Sequence, residues 1–125
     1  MISVGRFFSS LKHALRGVSV VFLTEQSFRI QVLIALCVVA AGAVVHVKTY
    51  EWILLFLLIG SVLTLELVNS IVERLVDSFK PRIHPIVKEI KDIMAGTVLL
   101  VSLIAAAVGA MIFYPYLVDL VGLLP

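Results

Sequence analysis

Polar chemistry is scarce in this chain of 125 residues. Only 14% of the residues are charged and 62% are hydrophobic, against about 45–50% apolar in an ordinary soluble domain. A water-soluble globular fold is excluded on that balance. A single integral-membrane domain, residues 1–125, is all the length allows. Cysteine occurs once, as Cys37 inside an apolar run, so no intrachain disulfide forms and the residue reads as a small packed hydrophobe. No Cys/His spacing suggests zinc. The G-x-x-x-x-G-K-[ST] loop, the G-x-G-x-x-G turn and the catalytic-loop and D-F-G signatures of soluble kinases are all missing. The N-terminus lacks the long apolar core and small-residue cleavage site of a signal peptide. Basic residues sit at the edges of apolar runs, which argues against nucleic-acid binding.

What is present is three long apolar stretches and a patterned N-terminus. In residues 1–23, Phe7, Leu11, Leu15, Val18 and Phe22 recur at spacings of three and four, with Arg6, Lys12, His13 and Arg16 on other faces. That pattern predicts an amphipathic helix lying in the membrane interface, within a surface-helix-and-turn segment 1–29. Residues 24–29 interrupt the hydrophobicity and read as a turn. Transmembrane spans are expected at about 30–47, 52–72 and 93–113, the second continuing helically to roughly Phe79. Pro81 and Pro85 break the chain, a helix restarts near Ile86, and Pro115 is expected to end the third span. Ser102, Ala106 and Ala110 form a small-residue stripe that permits close helix packing. The fold class is therefore all-α: three transmembrane helices plus an N-terminal interfacial helix. Three spans are too few to enclose a polar site, so oligomerisation is expected.

Basic residues orient the chain. Arg6, Lys12, Arg16 and Arg29 precede the first span, and Arg74, Lys80, Arg82, Lys88 and Lys91 lie between the second and third. The other connection has only Lys48 and the C-terminal tail has none. The positive-inside rule places the N-terminus and the 73–92 segment in the cytoplasm, together with Glu25, Glu73, Lys91 and Asp92.

The residues able to do chemistry cluster in Glu66-Leu67-Val68-Asn69-Ser70-Ile71-Val72-Glu73. At about 100° per residue, Glu66, Asn69 and Glu73 fall within an arc of roughly 60°, the two acids about 10 Å apart along the axis. A carboxylate at membrane depth costs about 2.5–3.5 kcal/mol or more, so several on one face imply a function. Glu25 and Glu73 offer the hard oxygens Mg²⁺ prefers; equally, Glu73 could pair with Arg74 or Lys91, and Glu25 with Arg29. Glu66 lies deeper, where it could serve as a general base, as a protonated helix-packing group or in an ion pathway. Asn69 could orient either acid. Lys91 offers a charge for phosphate and Asp92 an acceptor for a sugar, an amine or a helix N-terminus.

Glu66-x-x-Asn69-Ser70-x-x-Glu73, followed by Val76-Asp77, His84-Pro85 and Lys91-Asp92 with Ala95-Gly96, closely resembles the small bacterial membrane lipid kinases. That family contains diacylglycerol kinase and undecaprenol kinase. Glu25-x-x-Phe28-Arg29 fits its other recurring element, and the likeness runs over about residues 5–113. The resemblance implies a homotrimeric helical bundle in the bacterial cell membrane that transfers the ATP γ-phosphate to a lipid hydroxyl with Mg²⁺. On it, Glu66 is the base, Glu25 and Glu73 hold the metal and touch the nucleotide, and Asn69 supports the acidic face. Lys91, Asp92, Arg82, Ile83 and His84 contact the nucleotide, and Arg6 is an N-terminal ATP contact. The Phe28-Arg29-Ile30-Gln31 run and the His84-Pro85 step look more like the undecaprenol branch, with diacylglycerol as the alternative acceptor. A small oligomeric channel or proton-coupled carrier gated by Glu66 is the rival of another class. It leaves the gathering of Glu25, Glu73, Lys91 and Asp92 on one side unexplained.

Overall fold

The computed structural model describes residues 3–78 and 85–122, and all of its regular structure is helical. Four helices follow one another: α1 (Val4–Thr24), α2 (Gln26–Val45), α3 (Thr49–Ser78) and α4 (Pro85–Val121). The last three are each long and apolar enough to cross a membrane. The stretches 52–72 and 93–113 lie within α3 and α4, whereas 30–47 overruns the end of α2 at Val45 by two residues. The break expected at Pro81 lies outside the described residues, as does Phe79, while Pro85 takes the first position of α4, where a missing N–H costs nothing.

Helix α1 starts at Ser3, whose hydroxyl accepts from the Arg6 amide at 3.2 Å. Its large apolar residues, Phe7, Phe8, Leu11 and Leu15 among them, remain exposed. Phe22 meets the buried Phe28 edge-to-face at 6.5 Å. The expected turn over residues 24–29 contracts to one extended residue, Glu25, because α2 already begins at Gln26.

The α2–α3 connection is tight. His46 takes the left-handed conformation (φ 55°), and the Val47 amide reaches back to the Gly42 carbonyl at 3.1 Å, closing the end of α2. Gly42 lets the helices approach closely there, since a methyl on it would lie 3.0 Å from the Trp52 ring. Val47, Leu55 and Ile112 form the buried apolar core, with Trp52, Val108, Phe113 and Tyr116 packed against it.

Pro115 does not end α4, contrary to the sequence expectation; the helix runs on to Val121. Proline removes one N–H from the ladder, and membrane helices tolerate that loss where neighbours hold the segment. Here the next residue supplies the hold. The Tyr116 hydroxyl donates to Glu51 Oε2, which also accepts from the Lys48 amide at 2.7 Å. Glu51 is only 7% exposed; it closes the first turn of α3 and ties it to α4.

A groove of about 410 Å³ runs between α2, α3 and α4. Ser102, Ala106 and Ala110 line it, so the small-residue stripe widens a furrow between helices of the chain. Its opposite wall includes Gln31, near the start of α2.

Candidate active site

The site is built where the α1–α2 junction meets α3. Glu25 is at once the C-cap of α1, its amide donating to the Val21 carbonyl at 2.8 Å, and the N-cap of α2. Its side chain makes no capping bond. The carboxylate instead turns to α3, where Oε1 accepts from Ser70 Oγ at 3.3 Å and from the Arg74 guanidinium at 3.1 Å. Arg74 also donates to Ser70 Oγ at 3.2 Å and Thr24 Oγ1 at 2.6 Å. One guanidinium thus holds three helices at one point, using the planar fork that lysine lacks. The alternative pairing of Glu25 with Arg29 does not form. Arg29 donates to the Leu23 carbonyl at 3.3 Å, where it satisfies the exposed end of α1.

Along α3 the polar face is aligned as the helical period requires. Ser70 is 2% exposed and Glu66 6%. Glu66 Oε2 accepts from Gln31 Nε2 of α2 at 3.0 Å. Glu73 Oε1 accepts from Asn69 Nδ2, one turn away, at 3.1 Å. Neither Arg74 nor Lys91 pairs with Glu73: Arg74 is held by Glu25, and Lys91 Nζ donates to Asp77 Oδ1 at 2.8 Å. That last bond joins the start of α4 to the end of α3. Both amides spend their NH₂ groups on carboxylates, and both of their oxygens, Gln31 Oε1 and Asn69 Oδ1, are buried without a partner among the described residues.

Asn69 thus bonds Glu73, Glu25 reaches Ser70 on the same helix, Glu66 stands one turn deeper, and Lys91 meets the end of α3 through Asp77. Asp92 stands exposed on the first turns of α4 and bonds to nothing among the described residues. Arg82, Ile83 and His84 lie outside the described residues. Arg6 is not brought to this face within one chain, being about 28 Å before Glu25 along a straight α1.

No cluster of three or more His, Cys, Asp or Glu side chains able to hold a metal occurs among the described residues. Mg²⁺ does not demand one, since it commonly takes one or two carboxylates and completes its shell with phosphate and water. Glu25 and Glu73, with the orphaned Asn69 Oδ1 beside Glu73, are hard oxygens of the right kind. The guanidinium now on Glu25 is the cation such a metal would replace.

Sequence pattern identified the acids but not their partners. Ser70 and Arg74 both turn to Glu25 across the helix junction, a contact that no local spacing announces. Gln31 carried a usable signal: it is the last amide before the apolar run to Val45, and a buried amide in a membrane helix needs a partner.

Comparison with known proteins shows the family. A family model described as prokaryotic diacylglycerol kinase matches residues 12–113. The undecaprenol kinase of Bacillus subtilis is 38% identical over 91% of this chain and 93% of its own length. A diacylglycerol kinase of Synechocystis sp. is 34% identical over 89% of this chain and 64% of its own. One from Helicobacter pylori is 32% identical over 79% of this chain and 77% of its own.

Proposed function

The chain belongs to the prokaryotic diacylglycerol kinase family and is a lipid kinase, and from that premise we propose that it phosphorylates undecaprenol with MgATP at the α3 acidic face. The observation that carries the proposal is the polar face of α3, where Asn69 holds Glu73 and Ser70 meets Glu25 of the α1–α2 junction, with the buried Glu66 one turn deeper. Likeness to an undecaprenol kinase over nearly the whole of both chains favours that acceptor. Diacylglycerol is the alternative, since diacylglycerol kinases match as well.

Glu66 acts as the base. Gln31 occupies Oε2, so Oε1 takes the proton of the lipid hydroxyl as its oxygen attacks the γ-phosphorus. The bond from that phosphorus to its bridging oxygen breaks, and ADP leaves with the electron pair. Glu25 and Glu73 would hold Mg²⁺, with Asn69 fixing Glu73. Bound there, the metal supplies charge neutralisation at the phosphate oxygens, which phosphoryl transfer chiefly requires. Lys91, released from Asp77, offers its ammonium to phosphate, and Asp92, Arg82, Ile83 and His84 complete the nucleotide contacts.

The active form is proposed to be a homotrimer in the bacterial cytoplasmic membrane, with the N-terminus and these groups on the cytoplasmic side. In such an assembly Arg6 serves the nucleotide site of an adjacent subunit, since its own is out of reach.

The deciding experiment is a phosphorylation assay of purified protein in lipid micelles, with MgATP and either undecaprenol or diacylglycerol. Transfer to undecaprenol, abolished in a folded and assembled Glu66→Gln variant, is expected. Preferential transfer to diacylglycerol would replace the acceptor. Transfer to neither lipid, or near-normal turnover by Glu66→Gln, would overturn the reading.

A further inference from the structure

We infer that Gln31 is the positioning residue for Glu66, the group that fixes which carboxylate oxygen meets the acceptor hydroxyl; this deepens the lipid-kinase reading and rests on it. Glu66 has one hydrogen-bond partner among the described residues, and it comes from another helix: Gln31 Nε2 of α2, at 3.0 Å from Oε2. A long side chain buried to 6% exposure on an apolar helix has several rotamers and little else to choose among them. An ionised carboxylate only accepts, so the NH₂ end of the amide must face it. The orientation of Gln31 is thereby set, and its oxygen is left buried without a partner among the described residues.

That orphaned oxygen is the second observation. An unmade hydrogen bond at a buried polar atom costs about 1–3 kcal/mol. The surroundings of Gln31 make an apolar residue the natural occupant on stability grounds alone. Ile34, Ala35, Val38 and Leu63 line the same groove, and its other wall is Ala105, Ala106 and Gly109. A methionine would fill the volume without an orphaned oxygen, but it would leave the Glu66 carboxylate without its donor. The amide is retained at a cost to the fold, and the one thing it does there is hold Glu66. Buried polar groups left half-satisfied in this way call for a functional explanation.

With Oε2 occupied, Oε1 is the oxygen without a partner, and the proton of the attacking alcohol goes to it. Removing the donor lets the carboxylate rotate, so fewer encounters find the base in place. The loss falls on the chemical step. Nucleotide affinity is untouched, because Glu25, Glu73 and Lys91 hang on other bonds.

The test compares Gln31→Met and Gln31→Leu, which remove the donor, with Gln31→His, whose ring N–H restores one. Each is assayed as the full-length protein in lipid micelles with MgATP and the better wild-type acceptor. Expected is a fall in kcat of roughly tenfold or more in the two donorless variants, corresponding to about 1.4 kcal/mol or more. KM for MgATP should stay within about twofold, and Gln31→His should recover kcat to within about threefold of wild type. Wild-type kcat in either donorless variant would overturn the inference, as would a loss in Gln31→His as deep as theirs, or one carried by KM for MgATP. The wild-type and Glu66→Gln controls separate the two levels. If wild type transfers phosphate and Glu66→Gln does not, the kinase reading stands whatever Gln31 does.

Discussion

Tyr116 and Glu51 sit at the far end of the bundle from the acidic face, and they allow stability to be separated from activity. Tyr116→Phe removes one oxygen and leaves the ring, which packs beside the Val47–Leu55–Ile112 core. The lost bond is to a carboxylate only 7% exposed, and hydrogen bonds to charged groups contribute about 1.5–3 kcal/mol. Glu51 keeps two donors, the Lys48 amide at 2.7 Å and the Tyr50 hydroxyl at 3.4 Å. The expected cost is therefore near the lower bound, about 1.5–2 kcal/mol. Glu51→Ala removes all three bonds and frees the Lys48 amide, and should cost more, about 3 kcal/mol. The assay is SDS-induced unfolding in mixed micelles, run as a double-mutant cycle with a coupling energy of about 1.5 kcal/mol expected between the two sites. Coupling below about 0.5 kcal/mol would refute the clasp. Kinase turnover by folded Tyr116→Phe should match wild type, because Glu51 and Glu73 are about 33 Å apart along α3. A kinetic defect in folded protein would refute that separation.

Other perturbations probe the remaining links. Glu73→Gln should weaken Mg²⁺-dependent ATP binding by about tenfold or more, measured by calorimetry in micelles, as expected of a lost metal carboxylate; equal binding by mutant and wild type would remove Glu73 as a ligand. Lys91→Ala should raise KM for ATP by about tenfold, the worth of one charged hydrogen bond, whereas Asp77→Asn, which frees the ammonium, should not; an unchanged ATP dependence in Lys91→Ala would contradict the assignment. Gly42→Val should cost about 1–3 kcal/mol in the same unfolding assay, because the site has 3.0 Å to the Trp52 ring and 3.4 Å to Val47; a fully stable variant would show that the α2–α3 corner is looser than described.

Much of this protein was legible in one dimension. Hydropathy runs and helical periodicity are local properties, so the three spans, the N-terminal helix and the alignment of Glu66, Asn69 and Glu73 followed from residue order alone. The motif spacing likewise carried the family. Pro115 misled, because its local effect is to break a helix and its tolerance depends on Tyr116 meeting a residue on another helix. The ion pairs stayed open for a related reason: Arg74 and Lys91 each have an acid nearby in sequence, yet each takes a partner by three-dimensional reach.

What the sequence determined is therefore the set of polar groups and the face on which each helix displays them, since both depend only on residue type and a fixed period. What the tertiary structure decided is which groups meet across helices: Glu25 with Arg74 and Ser70, Gln31 with Glu66, Lys91 with Asp77 and Tyr116 with Glu51. Such pairings join residues 14 to 65 positions apart. They are set by how the helices pack, and no local pattern encodes that.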